Sequence, residues 1–303
     1  MNFFFVSIID FLFTKHHFLD LKNHVISNDL KKEIENLKYH DISNLSGAKK
    51  EWHNNLNRLI NKLKKNRLKD FLRIDVVKKT MYVSRANYTL QELKYLPTKK
   101  YLKENFVGSP IMFYKRPMYS SQRIHHQFLL YSFEIEFENF IKDIDIIFEF
   151  GGGYSSMCEN IYRLNYNGEY VIFDFKEFSI LQKYYLYNTL SRKSFNKIMF
   201  INDFKNSQSI KNKVISSNSL FIATWSLSEA DLKTRNLLDE NILKNFDYYL
   251  IAFQPVFNEI DNLNYFKNFM QINNNINWQL KEIENSISNI QKQYFLFGKK
   301  KLY

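Results

Sequence analysis

Three glycines in succession follow a short apolar run that ends in an acid, near the middle of the chain. The run Ile146–Phe150 predicts a buried strand, Gly151, Gly152 and Gly153 form the turn, and Ser155 or Ser156 can cap the next helix. Glycine lets the backbone approach a ligand where a Cβ would collide. Because the chain has only seven glycines, three at one turn predict a ligand-binding loop.

The residues around the loop distinguish between nucleotide-binding patterns. A phosphate loop would continue into Gly-Lys-Ser/Thr, which is missing, and a dinucleotide fingerprint would place a glycine where Ser156 stands. The pattern Glu149-x-Gly151-x-Gly153 resembles motif I of the class I S-adenosylmethionine-dependent methyltransferases. The resemblance implies that the loop, with Tyr154, wraps the amino-acid end of the cofactor while the Glu149 carboxylate places its ammonium.

Composition limits the partners and the compartment. The formal charge of +12 over 303 residues indicates either a diffuse basic surface or attraction for an anionic partner, and we favour a small phosphate-bearing substrate. The single cysteine, Cys158, excludes an internal disulfide. Residues 1–13 are apolar but too short to span a bilayer, and they lack the basic start of a signal peptide. They predict a buried helix, with a membrane-resting helix as the alternative, in a cytoplasmic protein.

The first third of the chain predicts helices without a recognisable motif. Apolar residues recur at helical spacing in residues 29–37 and 52–63, while the basic run 62–69 predicts a solvated helix face. Prolines and glycines then cluster between residues 97 and 117. We therefore expect an N-terminal α-helical domain over residues 1–118 and a second domain over residues 119–303.

A helix over residues 122–141, capped by Ser120 or Ser121, begins the second domain. It carries the adjacent histidines His125 and His126. Neighbours on a helix lie about 100° apart, so we expect at most one of them to reach a ligand.

Strand and helix patterns alternate after the glycine loop. The predicted strands after the first are 169–174, 197–202, 219–224, 248–253, 278–282 and 293–298. The last two have no room for a crossover helix between them and must pair as an antiparallel hairpin. This is an α/β layout that matches the Rossmann-like class I methyltransferase sheet of seven strands, the last antiparallel, beside an N-terminal helical domain.

Acids stand where the predicted strands end, and ligands gather at the carboxyl ends of such sheets. Asp174 can accept two neighbouring ribose hydroxyls, and Asp203 can accept from the adenine amino group. Phe175 or Phe204 would lie against the adenine ring, and Thr224 would also contact the cofactor. The alternative for each acid is a helix cap or a solvated turn.

Three segments sharpen the family resemblance: residues 149–154, 171–177 and 223–229 are similar to motifs of bacterial sugar O-methyltransferases. The similarity covers residues 119–303, and the sequence departs from the family pattern at Ser155, in place of glycine, and at Phe175-Lys176, in place of Leu-Pro. It implies methyl transfer to a sugar hydroxyl, on a nucleotide-linked sugar or a glycan used for surface polysaccharide.

Methyl transfer to a hydroxyl needs an aligned acceptor and a base within hydrogen-bond reach. Glu229 is the first candidate base, and His125 or His126 the second. Glu229 at the start of a helix could instead serve only as a cap. Asp231 lies beside it, but no convincing third ligand is present, so we predict no metal.

Three further residues are candidates for substrate contact. Trp225 could form a wall for the sugar or the cofactor, while Arg116 and Arg123 could grip a diphosphate.

Two other functions remain open at this point. The basic charge allows a nucleic-acid methyltransferase, although the Asn/Asp-Pro-Pro-Tyr/Phe sequence of amino-group DNA methyltransferases is missing. An interaction protein with an inactive methyltransferase half is the other. We expect a small-molecule acceptor, no nucleic acid and no stable membrane insertion. The helical region could mediate homo-oligomers, cover the active site or receive the acceptor.

Overall fold

The computed structural model of the protein describes residues 24–81, 86–113, 115–116, 118–138, 141–204, 207–283 and 292–301. The helix predicted within residues 1–13 lies outside them. No helix in these ranges is long and apolar enough to cross a membrane.

A seven-stranded sheet forms the centre of the molecule, with a small separate hairpin (β6 and β7) beside it. The strands are β1 (Ile146–Phe150), β2 (Glu169–Phe173), β3 (Ile198–Ile201), β4 (Ser219–Thr224), β5 (Tyr248–Phe253), β6 (Val256–Phe257), β7 (Ile260–Asp261), β8 (Ile276–Ile283) and β9 (Gln293–Lys300).

The strand order is β3-β2-β1-β4-β5-β9-β8. The strands from β1 to β5 pair in parallel, whereas β9 runs antiparallel to both of its neighbours, β5 and β8. The predicted class I methyltransferase fold and its closing hairpin are confirmed. Connections leave in opposite directions from β1 and β4, so a crevice opens between their carboxyl ends, where ligands bind in such sheets.

Helices cover both faces of the sheet. They are α1 (Asn28–Glu35), α2 (Gly47–Lys64), α3 (Asp75–Met81), α4 (Ala86–Tyr95), α5 (Ser121–Phe137), α6 (Ser156–Arg163), α7 (Lys176–Thr189), α8 (Arg192–Phe195), α9 (Ser207–Ile215), α10 (Ser226–Glu229), α11 (Leu232–Asn241) and α12 (Asn262–Ile272). The helix predicted over residues 122–141 ends earlier than expected, because Glu138 takes a left-handed conformation after Phe137.

The N-terminal helices pack directly on one face of the sheet. One continuous cluster of buried side chains contains Leu56 and Leu59 of α2, Phe71 of the following turn, and Ile147 and Leu220 of the central strands. Burial of this apolar surface holds the helical region against the sheet. The division at residue 118 stays a prediction.

The proline- and glycine-rich segment between α4 and α5 is irregular, as predicted, but it is packed against the helices. The amide of Leu72 donates to the Gly108 carbonyl oxygen at 3.0 Å. A Cβ on Gly108 would lie 2.3 Å from the Phe71 ring. The segment therefore fastens the helical region to the rest of the molecule.

Candidate functional site

A cleft of about 830 Å³ opens at the carboxyl ends of the central strands. This volume lies within the range of about 300–1,000 Å³ that is typical of small-molecule sites. The predicted residues that line it are Glu149, Gly151, Gly152, Gly153, Tyr154, Asp174, Phe175, Asp203, Phe204, Thr224, Trp225, Glu229, His125 and His126. The structure thus brings together residues from five separate segments of the chain.

The three positions of the loop favour glycine for different structural reasons. A Cβ on Gly151 would come within 2.3 Å of the Ser226 Cβ, and one on Gly152 within 2.8 Å of the Ile172 side chain. Gly153 has a φ of +57° and no neighbour closer than the Met81 sulfur at 3.5 Å. Close packing thus requires the first two glycines, while the positive φ favours glycine at the third position, where the space for a Cβ is open.

Ser155 holds a backbone conformation that glycine would adopt more easily. Its φ is 70°, it precedes the first turn of α6, and its side chain makes no capping hydrogen bond. The buried hydroxyl has no hydrogen-bond partner among the described residues. This is the position at which the sequence departs from the glycine of the resembled family.

Glu149 is buried at the end of β1, beneath the loop. The Tyr170 hydroxyl donates to its Oε2 atom at 2.9 Å. Burial raises the pKa of Glu149 to about 8, since removal from water disfavours the charged form. The carboxyl is therefore largely protonated at neutral pH in the protein alone.

Asp174 connects the end of β2 to the loop. Its Oδ2 atom accepts from the Gly153 amide at 3.0 Å and from the Gln182 side-chain amide at 2.8 Å, while Oδ1 accepts from the Phe175 amide. Burial raises the pKa of Asp174 to about 7, against the effect of these hydrogen bonds. The carboxylate lines the cleft and has lone pairs left for a ligand, and contact with ribose stays a prediction.

The third strand end is more open. Asp203 is exposed at the cleft, and the Phe204 ring stacks on Phe173 with centroids 4.5 Å apart. Asn202, which sequence reasoning missed, donates to the Asp174 carbonyl oxygen at 2.7 Å and also lines the cleft. Adenine binding by this group of side chains stays a prediction.

Glu229 is the last residue of the single-turn helix α10. Burial raises its pKa to about 7, although a hydrogen bond from the Gln254 side chain opposes the shift. Asp231 caps α11, because its Oδ1 accepts from the Thr234 amide at 2.7 Å. Glu229 lies in the first turn of α10, so its roles as a base and as a carboxylate at a helix N-terminus both stay predictions.

Both histidines of α5 line the cleft, and the expectation that at most one of them reaches a ligand stays a prediction. The Nδ1 atom of His125 is hydrogen-bonded to Glu92, and its ring lies 4.9 Å from the Trp225 ring. His126 contacts Gln122 on the same helix, and burial lowers its pKa well below the ordinary value. Sequence reasoning missed Glu92, which lies 33 residues before its partner and in another helix.

Trp225 follows β4 in a left-handed conformation, with a φ of 64°. This conformation is unusual for a bulky residue and marks local strain. Its indole nitrogen is buried and has no partner in the part of the chain that the structure describes. An indole N–H is thus available beside the cleft.

The two predicted substrate arginines lie elsewhere. Arg123 is completely buried, and its guanidinium donates to Glu104, Glu159 and Asn160. Arg116 is exposed on a turn and donates to the Lys115 carbonyl oxygen. Neither lines the cleft, so these positions correct the expectation that the two arginines grip a diphosphate there.

The helical region contributes one wall of the cleft. Lys49, Trp52 and His53 of α2 line it, together with residues 79–81 of α3. The Trp52 ring approaches Phe175 with centroids 6.4 Å apart. Across the described ranges, no group of three His, Cys, Asp or Glu side chains could hold a metal ion.

Neither a protein-family model nor a curated protein matches the chain. Solved structures do resemble it, among them precorrin-6y C5,15-methyltransferase from Geobacter metallireducens, with 9% identity and a TM-score of 0.40 over 60% of this chain and 90% of that one. Another is an O-methyltransferase family protein from Burkholderia thailandensis, with 9% identity and a TM-score of 0.39 over 59% of this chain and 60% of that one. Similarities this low carry no functional conclusion for this chain.

Proposed function

We propose that the protein is an S-adenosylmethionine-dependent O-methyltransferase that acts on a sugar hydroxyl, on a nucleotide-linked sugar used for surface polysaccharide. One observation carries the proposal. Glu149, Asp174 and Glu229 line one cleft, burial raises the pKa of each, and none has a cationic partner among the described residues. Perturbed carboxyls gathered in a cleft are typical of functional sites.

The residues present fit the proposed cofactor, which supplies a methyl group on a cationic sulfonium. Glu149 and the glycine loop would hold its ammonium and carboxylate end, and Asp174 would accept from the ribose hydroxyls. Phe204 offers an aromatic face and Asp203 an acceptor for the adenine. Buried acids that lack counter-ions favour a ligand that brings its own positive charge.

Glu229 is the proposed general base. With a pKa of about 7 it is partly ionised at neutral pH and can accept the proton of the acceptor hydroxyl. Its short helix follows β4, so the carboxyl reaches the cleft from the side opposite β2, where Asp174 lies. The Gln254 side chain contacts the Glu229 carboxyl. The Ser228 hydroxyl donates to the Gln254 Oε1 atom at 3.0 Å and holds that side chain in place.

The test is calorimetric titration with S-adenosylhomocysteine, followed by methyl-transfer assays with nucleotide sugars and with RNA. We expect cofactor-product binding in the micromolar range or tighter, and turnover on at least one nucleotide sugar.

Three results would contradict the proposal in different ways. Binding with turnover on RNA alone would favour a nucleic-acid methyltransferase. Binding without turnover on any acceptor would favour an inactive interaction protein, and failure to bind would remove the cofactor assignment itself.

A further inference from the structure

A second cavity, of about 510 Å³, lies between α2 and α3. Its α2 residues recur at helical spacing and therefore share one face of that helix. The lining residues that matter here are Lys50, Asn54, Asn55, Arg58, Lys79 and Thr80. We call this cavity the basic groove, after its three cations Lys50, Arg58 and Lys79.

The three cations of the basic groove make no ion pair with a described carboxylate. Glu51 is the acid that lines the groove, and it accepts a hydrogen bond from the Asn258 side chain at 3.2 Å. The groove therefore carries an excess of positive charge, together with amide and hydroxyl donors. Such a surface attracts an anion with several negative oxygens.

The basic groove adjoins the cleft. Lys79 and Thr80 line both cavities, and Lys49 lines the cleft one position away from Lys50 on α2. One extended ligand could therefore contact both cavities. The groove has the size of a small-molecule site in its own right, so it exceeds what a single phosphate needs.

We propose that the basic groove binds the diphosphate of a nucleotide-linked acceptor, whose sugar reaches into the cleft. That this sugar is then methylated rests on the proposed function. The Arg58 guanidinium suits phosphate oxygens because of its planar fork, and the two lysines add point charges. The nucleoside occupies the remainder of the groove. This assigns to α2 and α3 the role that the sequence had suggested for Arg116 and Arg123.

The experiment is calorimetric titration with uridine diphosphate and with inorganic pyrophosphate, each in the presence of S-adenosylhomocysteine. The proteins are the wild type, the triple variant Lys50→Gln/Arg58→Gln/Lys79→Gln and the control Lys78→Gln. Lys78 is also exposed on α3 but lines neither cavity. We expect the triple variant to bind uridine diphosphate at least about tenfold more weakly, because charge-assisted contacts are lost, while the control binds like the wild type.

The remaining outcomes separate the two proposals. Equal binding by the wild type and the triple variant, or no binding by the wild type, overturns the basic groove as a diphosphate site. An RNA oligonucleotide that binds more tightly than uridine diphosphate and depends on the same three residues also overturns it. Failure of the wild type to bind S-adenosylhomocysteine counts against the proposed cofactor alone. The same titrations, repeated without that ligand, still test diphosphate binding in the basic groove.

Discussion

Two buried clusters of ionisable side chains in this protein are neutralised in different ways. Arg123 is fully buried between α5 and α6, but it donates to Glu104 at 3.0 Å and to Glu159 at 2.6 Å. In the cleft, Glu149 and Asp174 are almost as deeply buried, and among the described residues they contact only neutral donors. Within that part of the chain, the first cluster carries its own counter-ions and the second does not.

The difference favours a structural role for the first cluster and a ligand-binding role for the second. Removal of a charge from water is costly unless a partner or a proton neutralises it. The Arg123 cluster is neutralised within the chain, and it joins the segment before α5 to α6. The cleft acids are neutralised in part by protons, which a cationic ligand can displace.

The largest expected effect comes from breaking the structural cluster. Arg123→Met leaves the buried Glu104 carboxylate without its cation, while Glu159 keeps Arg163 as a partner. We therefore expect a loss of about 3–5 kcal/mol in the free energy of unfolding. Urea denaturation measures it. The control is Arg67→Met, because Arg67 pairs with Asp70 at the exposed surface, where an ion pair contributes less than about 1 kcal/mol. Equal losses for both variants would contradict the structural role of the Arg123 cluster.

The next effect tests the cleft as a catalytic site. Glu229→Gln removes the proposed base, so we expect turnover to fall by about 10²–10⁴-fold, with the affinity for S-adenosylhomocysteine unchanged. Since the ionised form is the base, wild-type kcat/KM should rise with pH through about 7, and the variant should lose this limb. The control is Glu240→Gln, an exposed residue of α11. Unchanged turnover in Glu229→Gln would remove Glu229 as the base.

A third prediction concerns the stability cost of the cleft. Burial raises the pKa of Glu149 from 4.5 to about 8, so the folded state holds this proton more tightly than the unfolded state. Its contribution is therefore fully present below about pH 4.5 and is lost as the pH rises through about 8. In Glu149→Gln this loss, on the order of a few kcal/mol, should be absent. Urea titrations between pH 5 and 8 test it, and parallel pH dependences in the two proteins would exclude it.

The smallest effect is the displacement of protons by the ligand. The ammonium of S-adenosylhomocysteine should lower the pKa of Glu149 and Asp174, so its binding at pH 7 should release a fraction of a proton to about one. Calorimetry in buffers of different ionisation enthalpy measures this release, which Glu149→Gln should reduce. Proton uptake would show that the cleft does not receive a cation in the expected place.

Several features of the fold could be predicted from local patterns. Apolar runs at the right spacing marked all seven strands of the main sheet, and β4 and β5 have the predicted bounds. Ten residues separate the predicted strands 278–282 and 293–298, which is too few for a crossover helix, and this gap predicted the antiparallel pairing of β8 and β9. The break between α10 and α11 was not predicted, because it depends on how Asp231 caps the second helix.

The site was predictable where its residues follow strand ends. The glycine loop, Asp174 and Asp203 line one cleft, because parallel strands bring their carboxyl ends to the same edge. The wall formed by α2 and the contact of Glu92 with His125 were not predictable. They depend on the docking of helices that are distant in the chain.

The amino-acid sequence alone determined the sheet, the position of the glycine turn and the acids beside it, since each is a pattern within a few residues. The tertiary structure decided the state of each charge. It buried Arg123 among carboxylates, left the cleft acids without a cationic partner among the described residues and set the basic groove beside the cleft. Burial and counter-ions are properties of the packed molecule, and no local pattern encodes them.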